Sequence, residues 1–517
     1  MSDAFLTALE STLTLKVLAV ILVSASYGLF VGAIPGLTAT MAVALMVPFT
    51  FFLDPISGLA AIVTMEACCI FAGDIPTTLM RIPGTPSSAA YVDDAYSLTQ
   101  QGRHQQALGV SLVYSVVGGL VGAMVLIFLA PQLARIAFEF SSYEYFWLCV
   151  LGLSCAAVVS RGSLAKGLLS LSIGLLLSCV GLGSTHSVPR LTFGSDDLIT
   201  GINFIPAMIG LFGLAEVLRN FSKRIPEAAL VATVTETKAK AASGNWLSQA
   251  IGEVFGGVGQ RLSKSGSRVA TSSGIGAAIG MLPGAGADIA AWVSYAISKR
   301  RATSEQKAEY GKGSLDGIAD ATTANNASLA GAWIPALVLG IPGDSVTAIV
   351  IGVLLMKNIQ PGPGIFTDPV QLPLVYGIYI TFILANLLLI PLGFLAIRTG
   401  SLIIRIPRQI ILPLILMFCI VGAFAIDGSY FDVGVMLAMG LLGVVLERFE
   451  VPAGPVVLGI ILGGRLEEAF VQSLTKSDSF AAFFGRPIAA GLGVLCIVLW
   501  LAPLVSWLRS RTAAKPC

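Results

Sequence analysis

Four proline–glycine motifs are the residues of this chain whose types and spacing could form a binding site. Gly32–Leu37 reads GAIPGL and Gly280–Ala285 reads GMLPGA, while IPG occurs at 82–84 and again at 341–343. Proline removes a backbone donor and glycine leaves helical geometry at low cost, so each motif predicts a break between two helix segments. A half-helix that begins at such a break directs free N–H groups and a positive dipole end outward, which suits a carboxylate.

Small polar side chains surround all four motifs. Hydroxyl and amide groups add uncharged donors, and unwound carbonyls with Asn or Thr oxygens suit a sodium ion. The candidate substrate-binding residues are Pro35, Gly36, Thr38, Thr40, Arg81, Gly84, Thr85, Ser87, Ser88, Pro283, Gly284, Gly286, Asp288, Asn325, Asn326, Gly343, Asp344 and Ser345. The candidate residues for sodium or proton coupling are Glu66, Thr322, Asn325 and Asn326. Kinks and packing positions in membrane helices use the same residue types, but four motifs in two matched pairs favour a functional site.

Several ionisable residues lie inside or beside these motifs, where a charge in lipid is expensive. Glu66, Asp74, Asp288 and Asp344 could carry protons, ligate a cation or contact a positive group on a substrate. Alternatively, some of them lie in wet interfacial loops. Arg81 could pair with a substrate carboxylate, extend to the membrane surface or neutralise Asp74.

The composition shows what kind of chain must position these motifs. Of 517 residues, 55% are hydrophobic and only 12% charged, against about 25% charged in ordinary soluble domains. This excludes a soluble enzyme, a disordered chain and a single-pass receptor, and predicts an all-α polytopic membrane protein with roughly 10–14 membrane segments. A net charge of +2 gives no reason to expect a nucleic-acid partner. The eight cysteines lack metal-ligand spacing, two histidines leave little for metal chemistry, and the sequence carries no zinc-protease or Walker motif.

The motifs also reveal an internal repeat. Ile75-Pro76 and Ile334-Pro335 each precede their IPG motif by seven residues, at a constant offset of 259, and the other motif pair is offset by 248. We therefore predict two membrane repeats, residues 1–220 and 269–517, joined by a linker at 221–268. That linker is rich in Lys and Arg, which predicts a cytoplasmic location. The first motif region has acidic flanks and the second basic flanks, so the repeats are expected to be inverted, with broken helices or re-entrant hairpins around the substrate.

In order along the chain, these motifs resemble the large membrane subunit (TctA type) of the tripartite tricarboxylate transporter family. The resemblance is carried by GAIPG at 32–36, RIPGTPSSAA at 81–90 and QQGR at 100–103. It continues with LPGAGA at 282–287, ANNA at 324–327, GIPG at 340–343 and QPGP at 360–363. Where such proteins usually carry small or hydroxyl residues, this chain has Asp74, Asp288 and Asp344. We therefore expect either that these acids couple transport to a proton or cation, or that the substrate bears a positive group or arrives with a metal.

The resemblance implies a multi-pass protein of the bacterial inner membrane that takes up an organic carboxylate, tricarboxylate or related, by symport. It implies no enzymatic activity and no cofactor beyond Na⁺ or H⁺ as coupling ion. The expected partners are a small membrane subunit (TctB type), a periplasmic solute-binding protein (TctC type) and the lipid bilayer. Elevator-like alternating access is expected by analogy with other hairpin transporters. The alternatives are a passive carboxylate channel and a membrane scaffold without transport.

Overall fold

The structure, a computed structural model, describes residues 2–159, 163–183, 188–222, 246–284, 286–403 and 408–513. This part of the chain is almost entirely helical. The helices before the basic segment are α1 (Ser2–Thr12), α2 (Leu15–Gly32), α3 (Ala39–Phe51), α4 (Pro55–Ala72), α5 (Asp74–Met80), α6 (Val92–Gln100), α7 (His104–Ala137), α8 (Ser142–Val159), α9 (Leu164–Ser178), α10 (Phe204–Met208) and α11 (Ala215–Ser222). A π-helical turn (Ile209–Leu214) joins α10 to α11, and β1 (Gly181–Leu182) pairs antiparallel with β2 (Pro189–Arg190).

The second half of the chain is also built from helices and short connections. They are α12 (Trp246–Phe255), α13 (Val258–Lys264), α14 (Gly266–Gly280), α15 (Gly286–Arg301), α16 (Ser304–Lys307), α17 (Leu315–Leu339), α18 (Ser345–Met356), α19 (Leu372–Ile403), α20 (Arg408–Asp427), α21 (Tyr430–Arg448), α22 (Gly454–Lys476) and α23 (Pro487–Ala513). Short 3₁₀ turns lie at Ser88–Ala90, Pro363–Phe366 and Phe480–Phe484.

Five helices in the described residues are long and apolar enough to cross a membrane. They are Leu15–Gly32, Pro55–Met80, His104–Ala137, Leu372–Gly400 and Tyr430–Arg448. Six further apolar helices are shorter, among them α3 and α18. These lengths agree with a polytopic membrane protein in which part of the apolar sequence forms segments too short to span alone.

Two helical hairpins flank the proline–glycine motifs at 32–37 and 280–285. The first hairpin consists of α2 and α3, and its open end is closed by an ion pair between Lys16 Nζ and Asp54 Oδ1 at 2.5 Å. Burial opposes ionisation of Asp54, but hydrogen bonds from Lys16 and Ser57 lower the pKa of this carboxyl to about 2. The second hairpin consists of α14 and α15, and Arg301 Nη1 joins its open end by donating to Thr271 Oγ1 at 3.2 Å.

Each hairpin packs its first arm closely against the helix that carries the following break. A Cβ on Gly28 would lie 2.4 Å from the carbonyl oxygen of Met65, and one on Gly276 would lie 2.3 Å from that of Ala324. One turn later, Gly32 approaches the Cys69 carbonyl in the same way that Gly280 approaches the Ser328 carbonyl. The glycines are separated by 248 residues and their partners by 259, so both offsets found in the sequence recur in the helix packing.

The matched glycines predict matched losses of stability. Gly28→Ala and Gly276→Ala should each reduce the free energy of unfolding by about 1–3 kcal/mol, because the new methyl group overlaps a backbone carbonyl that cannot move aside. Thermal unfolding of the purified protein in detergent measures the effect. Gly274→Ala is the control, since a Cβ there meets nothing within 4 Å. A loss at one glycine and none at its counterpart would contradict equivalent packing in the two halves.

The helices that follow the two hairpins run in opposite directions. Asp94 in α6, which follows the first break, accepts a hydrogen bond from the backbone N–H of Ser314 at the start of α17 (2.8 Å). At the other end, Lys357 after α18 donates to the carbonyl of Leu53 just before α4 (2.7 Å). Between these ends, α4 and α17 cross where Trp333 Nε1 donates to Glu66 Oε2 at 3.4 Å.

The basic linker predicted at 221–268 is only partly visible, because residues 223–245 lie outside the described residues. Its second part forms α12 and α13, and α12 packs so closely on α7 that a Cβ on Gly109 would overlap the Val254 carbonyl. Glu253 of α12 also pairs with Arg398 of α19 at 2.9 Å.

Candidate functional site

The break in the second half (Gly340–Asp344, hereafter the second break) lies between α17 and α18. Gly340 ends α17 in the left-handed conformation (φ 67°), and its N–H and that of Ile341 both turn back to the Pro335 carbonyl. Asp344 then begins α18 by accepting from the N–H of Thr347 at 2.8 Å, while the Thr347 hydroxyl accepts from the N–H of Asp344 at 2.9 Å. This reciprocal capping fixes the start of α18 and occupies one carboxylate oxygen of Asp344.

The tip of the second hairpin contacts this break directly. The Gly284 N–H donates to the Gly343 carbonyl at 2.8 Å. Gly284 and Gly286 both have left-handed backbones (φ 78° and 67°), and a Cβ on Gly286 would lie 3.5 Å from that of Asp344. Two of the predicted proline–glycine motifs, 59 residues apart in sequence, are therefore in direct contact.

The break in the first half (Arg81–Ser88, hereafter the first break) has the same local geometry. Arg81 takes the left-handed conformation (φ 57°), and the Ile82 N–H turns back to the Pro76 carbonyl as Ile341 does to Pro335. Thr85 and Ser88 then cap each other: the Ser88 N–H donates to Thr85 Oγ1 and the Thr85 N–H to Ser88 Oγ, both at 3.2 Å. All of these positions precede their counterparts by 259 residues.

Additional hydrogen bonds of hydroxyl groups fix the backbone of the first break. Thr77 Oγ1 accepts from the Gly84 N–H at 3.1 Å and donates to Ser88 Oγ at 2.8 Å. The hydroxyls of Thr85 and Ser87 lie 2.8 Å apart. The first break also contacts the second hairpin, because Trp292 Nε1 of α15 donates to the Pro86 carbonyl at 3.1 Å.

The tip of the first hairpin lies between α2 and α3. Gly36 is left-handed (φ 90°), Pro35 is buried, and Thr38 caps α3 by accepting from the Met41 N–H at 3.2 Å. Thr40 stands in the first turn of α3, which packs against α18 beyond the second break. The second hairpin therefore contacts the break of the first half through Trp292, and the first hairpin contacts α18, the helix that begins at the second break.

Several buried amide and hydroxyl side chains lie along α17, the helix that ends at the second break. Asn325 and Asn326 are buried, and their side-chain carbonyl oxygens accept no hydrogen bond from the described residues. Thr322 is also buried, but its hydroxyl already donates to the Ile318 carbonyl at 2.9 Å. The described residues contain no group of three or more His, Cys, Asp or Glu that could hold a metal ion.

The four acids singled out in the sequence have different surroundings. Glu66 is 1% exposed and contacts Trp333, whereas Asp74 is 2% exposed and accepts hydrogen bonds from the hydroxyls of Tyr91 (2.5 Å) and Ser111. Asp288 stands in the first turn of α15, half-buried beside the second hairpin tip. Thus Asp344 and Asp288 lie at the second break, while Asp74 lies next to the first.

Arg81, the cation predicted to meet a carboxylate, begins the first break, but its side chain pairs with an acid of this chain at the surface. Its guanidinium forms an ion pair with Asp93 at 2.8 Å, and both side chains are more than half exposed. Of the three alternatives left open by the sequence, the one involving Asp74 is not seen, because Asp74 is satisfied by hydroxyls.

Two charged residues of the site escaped the sequence interpretation. Asp94 joins the halves, and its Oδ1 accepts from the N–H groups of Gly311, Gly313 and Ser314 at 2.7–3.0 Å. Arg465 of α22 lies beside Gly340. Neither residue belongs to a proline–glycine motif. The only signal in the sequence was a charged residue in or near an apolar stretch, and such a signal does not show which group the charge contacts.

Comparison with known proteins decides the family. The model of the tripartite tricarboxylate transporter TctA family matches residues 18–458, a range that contains the tips of both hairpins and both breaks. The chain belongs to the TctA family. It is thus a component of a tripartite tricarboxylate transporter, and the resemblance predicted from the motifs is confirmed.

Two relatives of this TctA-family chain come from Agrobacterium vitis. One, named "Uncharacterized 52.8 kDa protein in TAR-I ttuC' 3'region", is 33% identical over 488 residues, covering 94% of this chain and 93% of the relative. The other, named "Uncharacterized protein in TAR-II ttuC' 3'region", is 36% identical over 240 residues, covering 46% of this chain and 98% of the relative. No solved structure matches the chain.

Proposed function

We propose that this TctA-family chain is the membrane subunit that moves an organic carboxylate by ion-driven symport, with the substrate bound at the second break. The observation that carries the proposal is the contact between the Gly284 N–H and the Gly343 carbonyl, which joins a hairpin tip to a helix break. Glycines at 284 and 343 let the hairpin tip and the break pack this closely, since a Cβ at either position would lie within 3 Å of a neighbouring alanine. The positive dipole end of α18 begins at the same contact, where it favours an anionic group. Pro283, Asp288 and Ser345 are the other predicted substrate-binding residues next to these glycines.

We further propose that the two halves form inverted repeats. In each half the hairpin's first arm packs parallel to the following helix, and α17–α18 run opposite to α4–α5, as the contacts of Asp94 and Lys357 indicate. Inverted repeats with broken helices are typical of secondary transporters, in which one unit moves relative to another around the bound substrate. An elevator-like movement of the hairpins fits this arrangement.

Sodium is the coupling ion that the geometry favours. Asn325 and Asn326 present buried carbonyl oxygens without donors in the described residues, and a buried acceptor in that state is costly unless a cation or water meets it. Glu66 remains the candidate for proton coupling, because it is buried beside Trp333 at the crossing of α4 and α17.

The partner subunits are inferred from family membership, and they are part of the proposal. A TctB-type subunit and a TctC-type solute-binding protein would complete the transporter in a bacterial inner membrane. The decisive experiment reconstitutes the chain with both partners in proteoliposomes and measures uptake of a carboxylate panel, such as citrate, succinate and malate. Accumulation that follows an imposed Na⁺ or H⁺ gradient supports symport; uptake that only equilibrates supports a channel; no uptake of any member contradicts transport.

Substitution of the asparagines tests sodium coupling separately. Asn326→Leu should raise the Na⁺ concentration for half-maximal uptake by about tenfold or more, because one oxygen ligand is lost from a buried site. Uptake measured at graded Na⁺ gives the value. Thr381→Val is the matched control, since that buried hydroxyl already donates to the Gly377 carbonyl within α19. An unchanged Na⁺ dependence in Asn326→Leu and Asn325→Leu would exclude these oxygens as ligands.

A further inference from the structure

A cavity of about 400 Å³ opens next to the second break, on the end of α17 remote from the basic segment. Its walls come from the start of α8, the residues around Ile341, and α22. The Arg261–Asp316 and Arg268–Asp320 ion pairs lie at the opposite end of α17, in its first two turns. Since α17 has 25 residues and a helix rises about 1.5 Å per residue, the cavity is on the order of 35 Å away from these pairs.

Arg465 is the cation inside this cavity. Its guanidinium lies beside Gly340, where a Cβ would come within 3.0 Å of Nη1. Arg465 forms no hydrogen bond or ion pair with any described residue, and Glu467, two positions further along α22, pairs with Arg190 at 2.9 Å. An arginine holds five donors in a planar fork that matches a carboxylate.

Capping of α17 does not explain the position of Arg465. The last turn of α17 has free carbonyl groups, which a cation could satisfy. However, the Pro335 carbonyl already accepts from the Gly340 and Ile341 N–H groups, and the Leu337 carbonyl accepts from the Gly362 N–H at 2.9 Å. Arg465 donates to no carbonyl of this turn among the described residues, and its side chain lines the cavity instead.

The remaining lining of the cavity suits a small anion. Lys476 adds a second cation at its rim, where Nζ donates to Ser142 Oγ at 3.1 Å, and Tyr145 contributes a phenol. Glu468, an exposed residue that accepts from Gln472 within α22, is the single carboxylate of the lining. Two cations against one carboxylate leave a positive cavity, and its volume lies in the range of ordinary small-molecule sites.

The cavity lies close to the proposed substrate site. Gly152 of α8 separates the two: a Cβ there would contact Ile341, Pro283 and Leu462 at 3.2–3.5 Å. Cys149, one turn earlier in α8, already lines the cavity, as does Arg465 one turn beyond Leu462 in α22. About one helical turn, roughly 5 Å, therefore lies between the cavity and the second hairpin tip.

We propose that this cavity is an entrance site for the carboxylate, and that Arg465 binds one carboxylate group there before the substrate reaches the Gly284–Gly343 contact. The inference rests on the proposed function, and names a residue seven positions beyond the range matched by the family model. The ligand class is a small di- or tricarboxylate, bound by a bidentate guanidinium contact.

Direct binding to the full-length chain in nanodiscs tests this site without requiring transport. Calorimetric titration with citrate, succinate and malate should show at least one ligand whose affinity falls by about 10- to 100-fold in Arg465→Gln, the loss expected for a charge-assisted contact. Arg465→Lys should retain part of the affinity, and added salt should weaken wild-type binding more than binding to Arg465→Gln. The matched control is Arg135→Gln, because Arg135 is an exposed arginine near the end of α7, outside the cavity lining.

Three outcomes would overturn the entrance site. They are equal affinity in wild type and Arg465→Gln, an equal effect of Arg135→Gln, and wild-type binding of neutral trimethyl citrate as tight as that of citrate. Absence of binding for every acid in the panel would overturn it as well. Uptake by the reconstituted complex is measured separately. If Arg465→Gln transports at the wild-type rate and KM, the entrance site is contradicted but the proposed function is not.

Discussion

Asp94→Ala is expected to destabilise the protein by about 3 kcal/mol or more. Its fully buried carboxylate accepts from three backbone N–H groups at the start of α17 and, through Oδ2, from the Tyr295 hydroxyl at 2.6 Å. Alanine leaves these donors unsatisfied, at a cost of about 1 kcal/mol or more for each. Thermal or denaturant unfolding in detergent measures the loss, and uptake should fall with it because the first break is no longer held against the second half.

The adjacent acid provides the control. Asp93→Ala removes an ion pair with Arg81 in which both side chains are more than half exposed, and such pairs contribute less than about 1 kcal/mol. Asp94→Asn keeps one acceptor oxygen, so its loss of stability should lie between those of Asp93→Ala and Asp94→Ala. Equal stability of the Asp94→Ala and Asp93→Ala variants would show that Asp94 does not join the halves.

Gly284→Ala is expected to reduce uptake by about tenfold or more without unfolding the chain. Residue 284 has φ 78°, which costs a residue with a Cβ about 1–2 kcal/mol, and the new Cβ would lie 2.7 Å from the Ala156 backbone. The hairpin tip must move away from α8 to relieve this overlap, and its hydrogen bond to Gly343 is lost or lengthened. The initial rate of carboxylate uptake in proteoliposomes measures the effect.

Gly274→Ala controls for the change of residue type, because Gly274 lies in α14 of the same hairpin and a Cβ there meets nothing within 4 Å. Its uptake should match that of the wild type. If Gly284→Ala transports at the wild-type rate, the tip-to-break contact is not part of the transport site.

The sequence alone predicted the positions where helices end. Proline and glycine act locally, through a missing donor and a permitted backbone conformation, so the breaks at Gly284 and Gly343 could be predicted without a fold. The offsets of 248 and 259 were visible for the same reason, and the structure repeats them in hydrogen bonds and helix packing. The resemblance to the TctA family was carried by these same motifs.

Partners of charged side chains could not be predicted in this way. Arg81 belongs to a motif, yet it pairs with Asp93 at the surface; Arg465 belongs to none, yet it lines the cavity beside Gly340. A charge has the same local sequence signature whether or not a counter-ion lies across the helix interface. Backbone breaks are determined by the residues that form them, whereas the use of a charge depends on which helices pack around it, and only the tertiary structure decides that.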